Sequence, residues 1–161
     1  MSTLSRHLQV QNAIVAMLTT IKMPTYTNDI EIVTNRLLDL RTLERFPSVS
    51  VLRGPWDDAW DSEDKELRVR TAAFGLVGFV RSLADDQFEG RLTDAADAFE
   101  ADMVRAFNEH DVEFLDTADA DSFLVAHAEP LLSDDEVKGV LQLVLSVEYR
   151  YKKTDDYIVT I

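Results

Sequence analysis

The stretch that decides the fold is Val140-Leu141-Gln142-Leu143-Val144-Leu145-Ser146-Val147-Glu148-Tyr149-Arg150-Tyr151. Every second side chain, from Leu141 to Tyr151, is apolar or aromatic. Because successive side chains of a strand point to opposite faces of a sheet, this alternation predicts a strand with a core face and an open face. The open face would meet water or a partner, and it is dominated by Gln142, Ser146, Glu148 and Arg150.

Two amphipathic helices are predicted to cover the core face. The first spans Leu4–Ile21, with Ser2 or Thr3 as its N-cap and Pro24 beyond its end. The second spans Thr93–Asn108 and repeats apolar residues at helical spacing along one side. Its other side is expected to face water and carries Asp94, Asp97, Glu100 and Asp102.

Further strands are predicted on both sides of the second helix. The run Ser48–Arg53 is typical of a strand and is expected to stop at Gly54. In Leu67–Arg81, the apolar positions change parity near Gly75 and Gly78, which indicates a long strand with a bulge or bend. Asn35–Phe46 is interpreted as a short helix or an ordered loop. Shorter strands are predicted at Asp29–Thr34, Val112–Leu115, Ser122–Ala128 and Tyr157–Ile161.

The order of these elements predicts an α+β protein. We expect a mostly antiparallel or mixed β-sheet with two main amphipathic helices packed on one face. The chain has 161 residues, which is the length of one domain. A single domain over residues 1–161 is therefore predicted, with a possible mobile loop at 56–66 and a C-terminal extension at 152–161.

The net charge is −14, from 16 basic and 30 acidic residues. A groove for nucleic acid would need a basic surface, and an acidic surface is repelled by anionic membranes. Solubility alone would account for this charge; alternatively, a negative wall would let DNA slide past without sticking. The N-terminal residues lack the apolar run of a signal peptide, and the longest nearly uncharged stretch, Thr71–Val80, is too short to span a bilayer.

No catalytic, cofactor or metal site is predicted, and we expect a protein that is not an enzyme. The chain has no cysteine, and its five glycines form neither a P-loop nor a dinucleotide fingerprint. Two groups of carboxylates lack the glycine and glutamate of an EF-hand loop, so solvated loops are favoured over calcium sites. These groups are Asp116, Asp119 and Asp121, and Asp57, Asp58, Asp61 and Asp64. The histidines His7, His110 and His127 have no metal-binding spacing.

The segment Trp56–Glu66 combines six acidic residues with two tryptophans. It has no hydrophobic period, so we interpret it as a solvated loop that joins two strands. Trp56 and Trp60 are expected to pack back on the local core. The alternative is that one of them anchors a partner, because tryptophan is enriched in interface hot spots.

Four features carry a resemblance to a known family: the helix Leu4–Ile21, the run Phe46-Pro47-Ser48-Val49-Ser50-Val51, the helix Thr93–Asn108, and the run Gly139–Tyr151 that closes in Tyr-Arg-Tyr. In these features the chain resembles small tail terminator (tail completion) proteins of long-tailed phages. The resemblance covers most of the chain as an order of elements. The acidic segment with its two tryptophans is longer than expected in that family.

The resemblance implies a ring, usually a hexamer, at the head-proximal end of the tail tube. Such a ring stops polymerisation of the tube protein and offers a docking face to the head connector, and DNA passes through it without specific binding. It implies a place in the tail or neck of the virion, after assembly in the host cytoplasm, with no cofactor and no membrane partner. Head-to-tail contacts would close the ring.

Three sets of interaction residues are predicted on this basis. A lumen-facing or tube-facing set is Trp56, Asp57, Asp58, Trp60, Asp61, Glu63 and Asp64. Ring contacts would use the open strand face, at Gln142, Ser146, Glu148 and Arg150, or the C-terminal tail, at Tyr157, Val159 and Ile161. The tail would pair with an edge of its own sheet or add a strand to a neighbour's edge.

Three other functions stay open at this point. A head-closure protein or another neck protein would have a similar pattern. An acidic monomeric binding module that mimics DNA would occupy a basic groove of its partner. A small hydrolase that uses carboxylates is the third possibility.

Overall fold

The computed structural model describes residues 2–61, 63–64, 66–82, 92–128, 137–152 and 157–160. The predicted α+β class is confirmed, and the predicted strands over 67–81 and 122–128 have the expected bounds. None of the helices in these ranges is long and apolar enough to cross a membrane. The elements are β1 (Ser2–Ser5), α1 (Arg6–Leu18), β2 (Ile32–Thr34), β3 (Ser48–Trp60), β4 (Leu67–Arg81), α2 (Leu92–Glu109), α3 (Asp111–Ala118), β5 (Ser122–Ala128), β6 (Lys138–Lys152) and β7 (Tyr157–Thr160).

Five strands form one mixed sheet in the order β2-β3-β4-β6-β5. β2 runs parallel to β3, and the other neighbouring pairs are antiparallel. The central pair, β4 and β6, keeps one register from Leu67 opposite Lys152 to Arg81 opposite Lys138. β1 and β7 pair with each other in a separate two-stranded antiparallel sheet.

The hydrophobic core lies between one face of the main sheet and the helices. The alternation that predicted β6 is confirmed, because its core-face residues from Leu141 to Tyr149 are almost completely buried. The same face of β4 contributes Phe74 and Leu76. The helices contribute the other large buried side chains, among them Ile14, Leu18, Phe99, Met103, Phe107 and Phe114.

The first helix begins two residues later than predicted. Residues before Arg6 belong to β1, and Ser5 is the N-cap in place of Ser2 or Thr3. The Ser5 hydroxyl accepts the backbone N–H of Leu8 at 3.1 Å, which satisfies a donor that the first turn leaves unpaired.

The predicted loop over 56–66 is wrong in its first half, because β3 continues through Gly54 and Pro55 to Trp60. A shift in the register with β4 between Arg53 and Trp56 accommodates these two residues. Proline has no N–H for the ladder, and a Cβ at Gly54 would lie 2.9 Å from the carbonyl oxygen of Ala73. An irregular position in a strand tolerates both residues.

Near Gly75 and Gly78, β4 was predicted to have a bulge or a bend. The bulge is wrong, because β4 pairs with β6 without a register shift. The apparent change of parity has another cause. Arg68 and Arg70 lie on the same face as Phe74, but in a part of that face where apolar helix residues do not cover it. Polar side chains therefore occupy positions that the sequence pattern assigned to the open face.

The segment after α2 is helical where a strand was predicted. Val112–Leu115 lies within α3, which has Asp111 and Glu113 in its first turn and ends at Asp119 in the left-handed region (φ 52°). Carboxylates at the start of a helix interact favourably with the helix dipole, and a residue in the left-handed conformation commonly ends a helix.

Residues 35–46 form turns without a helix or strand, and they cross one end of the open sheet face. The backbone N–H of Leu38 donates to the Ser50 hydroxyl at 3.1 Å, and Lys138 Nζ donates to the carbonyl of Leu43 at 2.9 Å. Ser50 is therefore buried, although it lies on the sheet face that points away from the helices.

Asp102 is buried, whereas the helical pattern predicted that it faces water. Its carboxylate accepts the backbone N–H groups of Thr27 at 3.2 Å and Asn28 at 2.8 Å, and the Asn28 side chain at 2.8 Å. These hydrogen bonds stabilise a buried charge and hold the connection after α1 against α2.

Gly78 and Gly75 provide a matched pair for testing helix-to-sheet packing. A Cβ at Gly78 would lie 2.8 Å from the Phe99 ring and 3.0 Å from Leu141 Cγ, whereas a Cβ at Gly75 would meet only Gln142 Nε2, at 3.4 Å. We expect Gly78→Ala to lower the free energy of unfolding by about 1–3 kcal/mol through overpacking. Gly75→Ala should change it by less than about 1 kcal/mol. Urea denaturation measures both, and equal effects would contradict the assignment of Gly78 to the helix-packed face.

Candidate interaction surfaces

One end of the main sheet extends beyond the part of its face that the apolar core covers. We call this end the sheet tip and define it as Trp56–Trp60, Leu67–Thr71 and Glu148–Lys152. In the register of β3 and β4, Asp58 lies opposite Arg70 and Trp60 lies opposite Arg68. Trp56, Asp58 and Trp60 therefore share the helix-side face with the two arginines.

An ion pair between the buried Arg70 and the partly exposed Asp58 forms the centre of the sheet tip. Arg70 Nε lies 2.7 Å from Asp58 Oδ1, and Arg70 Nη2 lies 3.1 Å from Asp58 Oδ2, which makes the pair bidentate. The Tyr151 hydroxyl accepts from Arg70 Nη2 at 3.1 Å and donates to Asp58 Oδ2 at 3.0 Å. The hydrogen bond from Arg70, and then the one from Tyr151, hold the pKa of Asp58 below its usual value.

The two tryptophans lie on either side of this ion pair and are 53% and 57% exposed. The Arg68 guanidinium lies 3.2 Å from the centroid of the Trp60 ring. The Trp56 ring meets His7 of α1 edge-on, with a centroid distance of 5.3 Å. Each tryptophan thus packs on the protein in part, and about half of its surface remains accessible to a partner. The anchoring role stays a prediction.

Asp61 was predicted in a solvated loop, but it is buried. Its Oδ1 accepts the backbone N–H groups of Glu63 at 2.8 Å and Asp64 at 3.2 Å, and these bonds hold the pKa of Asp61 below its usual value. Arg150 Nε lies 3.3 Å from a carboxylate oxygen of Asp61 and 3.3 Å from one of Asp121. Arg150 therefore links the β3–β4 turn to the start of β5, while Glu63 and Asp64 are exposed.

The predicted residues of β6 lie on the open face, which points away from the helices. Gln142 is exposed, and Ser146 and Glu148 are partly exposed. Asp57 shares this face and lies two strands from Glu148, across Thr71. The structure thus brings Asp57 and the β6 residues to one face and places Trp56, Asp58 and Trp60 on the other.

The predicted C-terminal tail pairs with the N-terminal strand of its own chain. Tyr157 lies opposite Ser5 and Val159 lies opposite Thr3, whereas Ile161 lies outside the described residues. This pairing forms a ribbon separate from the main sheet, so the tail occupies neither edge of that sheet. The sequence did not predict β1, which is the partner strand.

Arg68, Arg70, Tyr149 and Tyr151 of the sheet tip were not among the predicted interaction residues. Trp56, Asp58 and Trp60 alternate with period two, as do Arg68 and Arg70, and this spacing could have paired the two runs. Within the ranges that the structure describes, no group of three or more histidines and carboxylates is placed to hold a metal ion.

A scan against models of known protein families and a search of curated proteins find no match to the chain. The α+β class is the part of the sequence-based prediction that the structure confirms. The phage assignment stays a prediction.

The pKa of Asp58 leads to a pH-dependent prediction. A carboxylate whose pKa is lowered in the folded state contributes stability above its unfolded pKa of about 3.9, and this contribution is lost as the pH falls through the folded value. At pH 7 we expect Asp58→Asn to lower the free energy of unfolding by about 1–2 kcal/mol, since partial exposure screens the pair.

The measurement is denaturant unfolding of the wild type and Asp58→Asn at neutral pH and at a pH below the folded pKa, where the difference should become small. Asp57→Asn is the matched control, because Asp57 is exposed on the opposite face. If Asp58→Asn is less stable than the wild type by the same free energy of unfolding over the whole pH range, the charge on Asp58 does not contribute to stability.

Proposed function

We propose that the chain is a structural subunit of a phage tail terminator ring. In this role several copies form a closed ring at the head-proximal end of the tail tube. The ring stops polymerisation of the tube protein and presents a docking face to the head connector, and DNA passes through its lumen. The protein acts through its surfaces and carries out no chemical reaction.

The observation that carries the proposal is the position of the two sheet edges. β2 and β5 lie at opposite ends of the strand order, and no strand in the described ranges pairs with their outer edges. The sequence of β5 is Ser-Phe-Leu-Val-Ala-His-Ala, with neither the lysine nor the proline that commonly protects an exposed edge. A contact between two different edges is head-to-tail, and it generates a ring when the rotation closes.

Charge supports the same proposal. The chain carries a net charge of −14, so a lumen lined by its surface would repel the DNA backbone. Repulsion of this kind suits a passage through which DNA moves without being held. The same observations fit a head-closure protein or another neck protein.

The charge of the helical layer favours a second candidate function. Between residues 92 and 121 the chain has ten carboxylates and one arginine. A dense acidic surface of this kind suits an acidic binding module that occupies a basic groove of another protein in place of DNA. Such a module would act as a monomer, which separates it from the ring.

Electron microscopy tests the ring directly. Purified protein is mixed with tail tubes assembled from the tube protein of the same phage, and the tubes are imaged in negative stain. We expect a ring at one end of each tube and an arrest of further growth when more tube protein is added. A protein of similar charge and size is the control. Tubes that stay bare and grow at the control rate would contradict the proposal.

Removal of Tyr157–Ile161 separates assembly from folding. β7 pairs with β1 and not with the main sheet, so the truncation should change the free energy of unfolding by less than about 1–2 kcal/mol. We expect it to weaken ring formation, which light scattering after size-exclusion chromatography measures. Loss of the cooperative unfolding transition would instead show that the main fold depends on the segment.

A further inference from the structure

A groove runs along the outer side of β5, between this strand and α2. It consists of two adjoining depressions of about 650 Å³ and 390 Å³, which share Val104, Asn108 and His127. Phe123 and Val125 add apolar surface to the second depression. No strand in the described ranges pairs with the outer edge of β5.

The rim of this groove is acidic. It carries Asp97, Glu100 and Glu109 along α2, and Asp111 and Asp121 at its other end. His127 contacts Glu100, and Arg105 pairs with Glu109 at 2.7 Å. Among the described ion pairs, none involves Asp97 or Asp111. An occupant of the groove should therefore combine apolar side chains with positive charge.

The chain has a surface of this kind in the segment that begins beside the other edge of the sheet and crosses the open face. The segment 35–46 follows β2 directly and exposes Leu37, which is 67% accessible. Exposed arginines lie beside it at Arg36, Arg41 and Arg45, and the side chain of Arg41 is 90% accessible. Lys138 contacts the same segment through the carbonyl of Leu43. The segment holds three arginines against two carboxylates, Asp39 and Glu44, and Arg41 Nε lies 3.5 Å from Asp39. It therefore has a small excess of positive charge, although the protein as a whole is strongly acidic.

We infer that the groove along β5 binds the segment 35–46 of a second copy of this chain. Leu37 would lie against the apolar floor, and Arg36 and Arg41 would pair with the carboxylates of the rim. Because the segment and the groove are separate surfaces of one chain, each copy retains a free groove and a free segment after one contact forms. The inference rests on the proposed ring and identifies its subunit interface.

Charge reversal on each side tests this interface. The groove variant is Asp97→Lys with Asp111→Lys, and the segment variant is Arg36→Glu with Arg41→Glu. Each alone should weaken self-association at least tenfold, measured by sedimentation velocity over a range of protein concentrations. A matched control, Glu66→Lys with Asp116→Lys, makes the same charge change as the groove variant at exposed positions that do not line the groove and should associate like the wild type.

Mixing the two variants provides a rescue. Each variant keeps one wild-type surface, so the reversed groove of one meets the reversed segment of the other, and the two wild-type surfaces also meet. We expect the equimolar mixture to recover self-association in alternating copies. Thermal melting of each variant alone checks that it is folded. The proposed interface is supported if each variant alone is monomeric and the mixture recovers self-association.

Cysteine crosslinking gives an independent measurement, because the chain has no cysteine of its own. Leu37→Cys and Ser122→Cys, in separate chains, should form a disulfide-linked dimer on mild oxidation, whereas Glu63→Cys with Ser122→Cys should not. If both charge variants still form the wild-type oligomers and the crosslink does not form, the proposed interface is wrong, whereas the proposed ring stands. A wild type that is monomeric at all concentrations, and also on tail tubes, would overturn both.

Discussion

The central strands are longer than the helices that cover them, and the rest of the structure depends on this mismatch. A strand of 15 residues such as β4 extends about 50 Å, whereas α1 with 13 residues and α2 with 18 extend about 20 Å and 27 Å. Apolar residues alone can fill the part of the sheet face that the helices cover. Beyond it, the same face needs side chains that tolerate both burial and water, and the arginines, tyrosines and tryptophans of the sheet tip have this property.

The ion pair between Arg70 and Asp58 marks the boundary between these two regions. Tyr149 is fully buried, and the next residue on its face, Tyr151, is partly exposed. Arg70 lies between them and has hydrogen-bond partners in both directions. Removing the Arg70 charge from water costs free energy, but a bidentate contact with Asp58 and additional hydroxyl partners offset much of this cost. Arg6 at the start of α1 also lies over Tyr149, 5.1 Å from its ring, so the helix and the boundary are in direct contact.

The sequence predicted those elements whose burial is one-sided along their whole length. β6 and α2 show a clear period because one face of each packs against the core, and β4 was located correctly although its parity was misread. The second half of β3 was missed because tryptophan and aspartate alternate on a face without helix cover, which gives no hydrophobic period. Asp102 and the pairing of β1 with β7 depend on partners 74 or more residues away along the chain, and local patterns do not contain that information. At the candidate surfaces, residue types were predicted better than the faces on which they lie.

The arrangement of the sheet also separates the surfaces available for assembly. Its two edges lie at the sides of the strands, whereas Trp56 and Trp60 lie near the strand ends, at the sheet tip. In the proposed ring, contacts through the edges would therefore leave the two tryptophans of the sheet tip outside the subunit interface. The tip would then lie toward one rim of the ring, with half of each tryptophan accessible. A tail terminator needs an attachment surface of this kind, because it must hold its neighbours in the ring and a different protein at the rim at the same time.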